Sequence, residues 1–101
     1  MGATQQRHEA ARLEVEGAIG EAVGRLRAAR ATEALLRREA LPQARAGFQA
    51  VLAGYGQGKG ELTAAVKAQR AIREVELRLL QAQLEAQVEM AAIERLVGGE
   101  L

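Results

Sequence analysis

Cysteine, serine and tryptophan are absent from the 101 residues, histidine and proline occur once each, and the aromatics are one Phe and one Tyr. Each gap removes a class of function. Without cysteine there is no disulfide and no thiolate chemistry, and nothing fixes the redox compartment. Without serine, and with threonine only at Thr4, Thr32 and Thr63, no activated nucleophile is available. His8 alone does not make a histidine-based metal site within one chain. Strand-forming and bulky residues are too sparse for a sheet or a deep globular core. An excess of one charge sign is missing as well: 14 Lys+Arg face 13 Asp+Glu for a net charge of +1, so no nucleic-acid partner is expected. No run of about 18 apolar residues offers a transmembrane helix. The opening MGATQQRHEA lacks the charged region and apolar core of a signal peptide, and reads as the interior of a longer protein carrying an initiator Met.

What remains is dominated by Ala, Leu, Glu, Arg and Gln, the composition of long helices and coiled coils. Thr4, with Gln5 and Gln6 behind it, is placed to cap a first helix. From there Val15, Ile19, Ala22, Leu26, Ala29, Glu33, Leu36 and Ala40 alternate steps of four and three, a heptad seam with one charged interruption. Gly17, Gly20 and Gly24 lie three or four apart inside this helix, each costing about 1 kcal/mol relative to Ala. Close approach of a neighbouring helix at that stripe accounts for them better than a hinge does. Pro42 then predicts a kink or a break near residues 39–42. The apolar spacing resumes at once through Leu41, Ala44, Phe48, Val51 or Leu52, and Tyr55. One kinked helix from about residue 4 to 54 would span roughly 75 Å if unbroken.

A second helix is expected over 61–97, with Glu61 at its positive end and Gly98-Gly99 as its C-terminal stop. It carries two seams. One runs Ala65, Ala68, Ile72, Val75, Leu79, Ala82, Ala86, Glu89, Ile93 and Leu96; the other runs Leu77, Leu80, Leu84, Val88 and Ala91. A two-helix hairpin leaves one of these wet, so self-association or membership of a larger helical barrel is expected. The fold class is therefore all-α: a long antiparallel, coiled-coil-like hairpin, its first helix kinked or broken near Leu41-Pro42 and its turn at 55–60, packing into an oligomeric bundle.

The turn itself, AGYGQGKG, invites a phosphate-binding reading that the spacing defeats. Counting back from Gly58-Lys59, Ala53 stands where a P-loop needs glycine, Gly60 replaces the Mg²⁺-binding hydroxyl, and a helix rather than a strand precedes it. A dinucleotide pattern starting at Gly56 and Gly58 meets Glu61 at its third position. Neither nucleotide nor any other cofactor is expected. His8, Glu9, Glu14 and Glu16 are scattered around their helix, and the carboxylates at 74, 76, 85, 89 and 94 alternate with Arg70, Arg73, Arg78 and Arg95. Pairs such as Glu74–Arg78 read as i,i+4 helix support, not as an acid/base site. Arg7, Arg12, Arg25, Arg27 and Arg30 load the first helix, but interleaved Glu residues and the lack of an aromatic anchor weaken a membrane-surface reading. The chain is expected to be non-enzymatic.

Four segments in order carry a family resemblance: Leu41-Pro42-Gln43-Ala44, then Gly54-Tyr55-Gly56-Gln57-Gly58, then Leu62 to Arg70, then Leu96-Val97-Gly98-Gly99. Together they resemble the C-terminal periplasmic helical segment of outer membrane efflux proteins, the TolC-like family, nearest its heavy-metal efflux branch. The resemblance covers nearly the whole chain, more loosely over the first helix. It implies a homotrimeric outer-membrane conduit whose helical barrel extends into the periplasm, where it meets a periplasmic adaptor and an inner-membrane pump. This chain would be a soluble fragment of such a protein. The resemblance places Tyr55 and Gly58 at the hairpin tip, with Lys59, Gly60 and Glu61 in a polar gating stretch and Leu62 beside them as an adaptor contact. Positions that hold aperture-lining aspartates in well-known members are Ala64 and Lys67 here, which departs from an acidic ring. The alternative is an independent coiled-coil scaffold or adaptor that oligomerises through the same seams.

Overall fold

The computed structural model describes residues 2–58 and 60–100. It is a hairpin of two long helical arms. The first arm comprises α1 (Ala3–Leu35), one π-helical turn (Leu36–Ala40) and α2 (Leu41–Gly56); the second is α3 (Leu62–Glu100). No strand occurs among the described residues. The molecule measures 83 × 17 × 15 Å with a radius of gyration of 22.8 Å, against roughly 13 Å for a compact domain of this length. None of the described helices is long and apolar enough to cross a membrane.

The heptad arithmetic determines which faces meet. Every residue of the first-arm seam from Val15 to Ala40 is buried or half-buried, and so is every residue of the α3 seam from Ala65 to Leu96. The best-covered side chains are Ala22, Ala29, Leu36, Ala82 and Ala86. Alanine on both arms lets the backbones run close, yet each buried methyl contributes only about 0.8 kcal/mol, against about 1.5–3 kcal/mol for a leucine. The core is long and thin.

The π turn answers the proline. Pro42 has no N–H, and its ring would collide with the Arg38 carbonyl in a regular helix. The chain widens just before it, where the Leu41 N–H donates to the Leu36 carbonyl five residues back. Past the widened turn the half-buried positions run Leu41, Ala44, Phe48 and Val51, as the apolar spacing predicts, with Ala40 half-buried beside them. The arm therefore bends its hydrogen-bonding pattern without breaking. Of the two candidates near its end, Val51 is half-buried and Leu52 is exposed. Tyr55 leaves the seam, and Gly54 takes the inward position instead.

Three local expectations are corrected. The N-cap is Gly2, with Thr4 inside the first turn and no side-chain cap. Gly98 and Gly99 do not stop α3, which continues to Glu100. Gly17, Gly20 and Gly24 are exposed, and a Cβ built on any of them meets nothing within 4 Å. Among the described residues no helix lies over that stripe; it faces outward on the side of α1 away from α3.

Candidate functional site

The hairpin tip is built by two glycines with separate duties. α2 ends at Gln57, and Gly58 takes φ +76°, the left-handed conformation that reverses the chain. Its N–H donates to the Tyr55 carbonyl at 3.0 Å, while the Gln57 N–H reaches the Ala53 and Gly54 carbonyls at 3.3 and 3.2 Å. This is the carbonyl-capping pattern of a helix ended by glycine. Gly60 serves by its size: a Cβ there would sit 2.8 Å from both the Cα and the N of Tyr55. The Glu61 carbonyl then accepts from the N–H groups of Ala64 and Ala65 at 3.1 and 3.4 Å, starting α3.

These contacts bring Tyr55, Gly58, Glu61 and Leu62 to one end of the molecule; Lys59 lies outside the described residues. Tyr55 is 50% exposed and Leu62 67%, and Leu52 and Val66 add exposed apolar surface at the same end. Glu61 is exposed too, whereas Ala64 is half-buried in the seam and Lys67 points to solvent. The tip is a small apolar knob with a tyrosine side chain on it.

Among the described residues, one charged pair joins the two arms. Arg25 Nε donates to Glu89 Oε1 at 2.9 Å, with Glu89 only 8% exposed although it occupies a seam position. The hydrogen bond to Glu89, followed by the attraction of its charge, raises the Arg25 pKa further above its ordinary alkaline value. The guanidinium therefore stays charged throughout the neutral range. Glu89 Oε2 is buried without a partner. Such a pair fixes how two helices align, because sliding either arm leaves the carboxylate buried and unpaired. On the other side of the hairpin, Arg30 donates to Met90 Sδ at 3.2 Å. That contact borders an open cleft of about 490 Å³ lined by Arg30, Glu33, Gln83, Ala86, Gln87 and Met90. Among the described residues, the ion pairs within the arms are Arg12–Glu16 and Glu33–Arg37, both at 3.2 Å; Glu74–Arg78 is not among them. No cluster of three metal-ligating side chains occurs among the described residues.

The second α3 seam is uncovered. Leu77, Leu80, Leu84 and Val88 are 50–61% exposed and lie on nearly the opposite side of α3 from the seam that meets the first arm. The seam is legible from its spacing, but the Arg25–Glu89 bridge is not, because only the tertiary alignment joins residues 64 apart in sequence. The role of Gly60 is equally hidden, since nothing in a glycine-rich string says which glycine touches a backbone. No family model, curated protein or solved structure matches the chain.

Proposed function

We propose that this chain is a wall element of a TolC-like outer membrane efflux channel: a helical hairpin of the periplasmic barrel whose tip meets the adaptor. The observation that carries the reading is α3 itself, a helix with apolar seams on opposite sides, only one of which is covered. A helix in a barrel wall needs a neighbour on each side; a helix in a free-standing hairpin needs one. The ordered motifs from Leu41-Pro42 to Gly98-Gly99 support the same reading, as does an exposed tip offering Tyr55 and Leu62 to a partner. In this role the segment conducts nothing alone. It contributes wall surface, and substrate passes through the assembled trimer without chemistry.

Two measurements test it. The reading frame around this segment must encode an upstream signal peptide and strand-rich segments; a frame without them rejects the channel. Titration calorimetry with the helical hairpin of the adaptor encoded beside the parent gene should show binding that weakens with Tyr55→Ala. The competing reading, a free coiled-coil scaffold, draws on the same uncovered seam and predicts self-association with no adaptor binding.

A further inference from the structure

Among the described residues, two side-chain hydrogen bonds cross between the arms, and they differ in kind. Arg25 donates to a carboxylate, a strong acceptor, whereas Arg30 donates to the thioether of Met90, a weak one. The acceptors are neighbours in sequence, so both links hold the same turn of α3. Met90 is 40% exposed and lines the open cleft of about 490 Å³ with Arg30, Glu33, Gln83 and Gln87. A weak acceptor within reach of solvent, facing a cation that stays charged, leaves this link open to strengthening.

We propose that Met90 is a redox modification site, and that its sulfoxide tightens the link between the arms. The oxidant is a hydroperoxide. The thioether sulfur has two lone pairs; Arg30 engages one, and the other attacks the distal oxygen of the peroxide. The S–O bond forms, the O–O bond breaks, and the proton on the transferred oxygen passes to the departing one. Sulfur loses two electrons, the peroxide gains them, and water or an alcohol leaves. Methionine sulfoxide is a reversible product, restored by two reductases that each take one epimer.

The surroundings decide the sign of the effect. In an apolar core a sulfoxide is disruptive, because its polar oxygen is buried without a partner. Met90 is exposed, and its sulfur already has a guanidinium nitrogen at 3.2 Å. The sulfoxide oxygen carries partial negative charge, so a weak bond to sulfur becomes a charge-assisted bond to oxygen. The added oxygen extends the acceptor, and Arg30, a long exposed side chain beside an open cleft, has room to draw back and meet it. At an exposed site the exchange should raise the folding equilibrium constant about two- to fivefold. Met90 lies about 42 Å along α3 from Leu62, so this link and any binding at the tip are tested separately.

The sequence has methionine at positions 1 and 90 only, which makes the two sites separable. The parent chain and Met90→Leu are treated with hydrogen peroxide, and sulfoxide at residue 90 is located by peptide mass mapping. Urea unfolding is then followed by circular dichroism at one fixed protein concentration. The oxidised parent is expected to unfold at higher urea than the untreated parent, and the two reductases together to return it to the starting midpoint. Met90→Leu should show no shift on treatment. Arg30→Ala should be oxidised at residue 90 yet gain no stability. An oxidised parent that unfolds at the same or lower urea overturns the proposal, as does a residue 90 that the peroxide leaves unmodified or the reductases fail to restore. An equal gain in Arg30→Ala or in Met90→Leu overturns it too, since the effect would then not pass through the link between these two side chains.

Discussion

Replacing the tip-region glycines one at a time by alanine separates those the turn requires from those it merely tolerates. Gly54 and Gly56 are helical, and a Cβ on either meets nothing within 4 Å. Gly54→Ala and Gly56→Ala should each stabilise the hairpin by about 0.5–1 kcal/mol, because alanine removes unfolded-state freedom and adds no clash. Gly58 sits at φ +76°, where an L side chain costs about 1–2 kcal/mol. Gly60→Ala brings a methyl to 2.8 Å from two Tyr55 backbone atoms. Backbone cannot swing aside as a long side chain can, so this substitution should cost about 1–3 kcal/mol, the range for overpacking. Urea denaturation followed by far-ultraviolet circular dichroism, at one fixed protein concentration, gives the order directly. The midpoints of Gly54→Ala and Gly56→Ala should lie above that of the parent chain, and those of Gly58→Ala and Gly60→Ala below it. If Gly60→Ala matches the parent, the close approach at Tyr55 is wrong and the two arms turn differently. If all four variants gain stability, the stretch is a loose linker and not a built tip.

Three further substitutions probe the arms, each read by the same denaturation. Ala86→Leu inserts a large side chain where Ala86 is 2% exposed, and should destabilise by about 1–3 kcal/mol by forcing the helices apart. Pro42→Ala supplies an N–H and removes the ring; because the π turn already relieves part of the strain, the gain should be about 1–2 kcal/mol, short of the ~3 kcal/mol of an unrelieved interior proline. Glu89→Leu exchanges a buried, half-satisfied carboxylate for an apolar side chain, and should be neutral or stabilising by about 1 kcal/mol; a large loss would show that the Arg25 bridge contributes net stability and not only alignment.

The inward faces of both arms could be read from spacing because a coiled-coil-like hairpin repeats one local rule along its length. Val15 to Ala40 and Ala65 to Leu96 needed no knowledge of their partners. Spacing also singled out the apolar series Leu77 to Ala91. The same rule fails where the chain stops repeating. Tyr55 continues the apolar steps of α2 but lies past the last covered turn, so it faces solvent. Gly98-Gly99 resembles a stop signal, yet glycine only permits an ending, and α3 continues through it. The glycines of α1 suggested a close neighbour, and the described residues supply none. Their face can be read; its occupant cannot, because that information is held in another surface. Glu89 was visible as a seam member and as one carboxylate among many, while its bond to Arg25 depends on how two distant segments align.

That alignment problem explains why a charge sits in so slender a core. Alanine faces are nearly uniform, so shifting one arm past the other by a turn exchanges one methyl contact for another at small cost. Leucine cores resist such slippage through side-chain shape, but among the described residues Leu36 is the only leucine that is well buried. An ion pair adds what shape does not: in the wrong register Glu89 loses Arg25 and stays shielded from water, which is far more unfavourable than a displaced methyl. The thinness of the core has a second consequence. With four of the larger aliphatic side chains of α3 outside the hairpin, at Leu77, Leu80, Leu84 and Val88, part of the hydrophobic stabilisation available to this sequence would be realised only if another helix covered them. Register within the hairpin is therefore set by Arg25 and Glu89, where the alanines alone would let the arms slide.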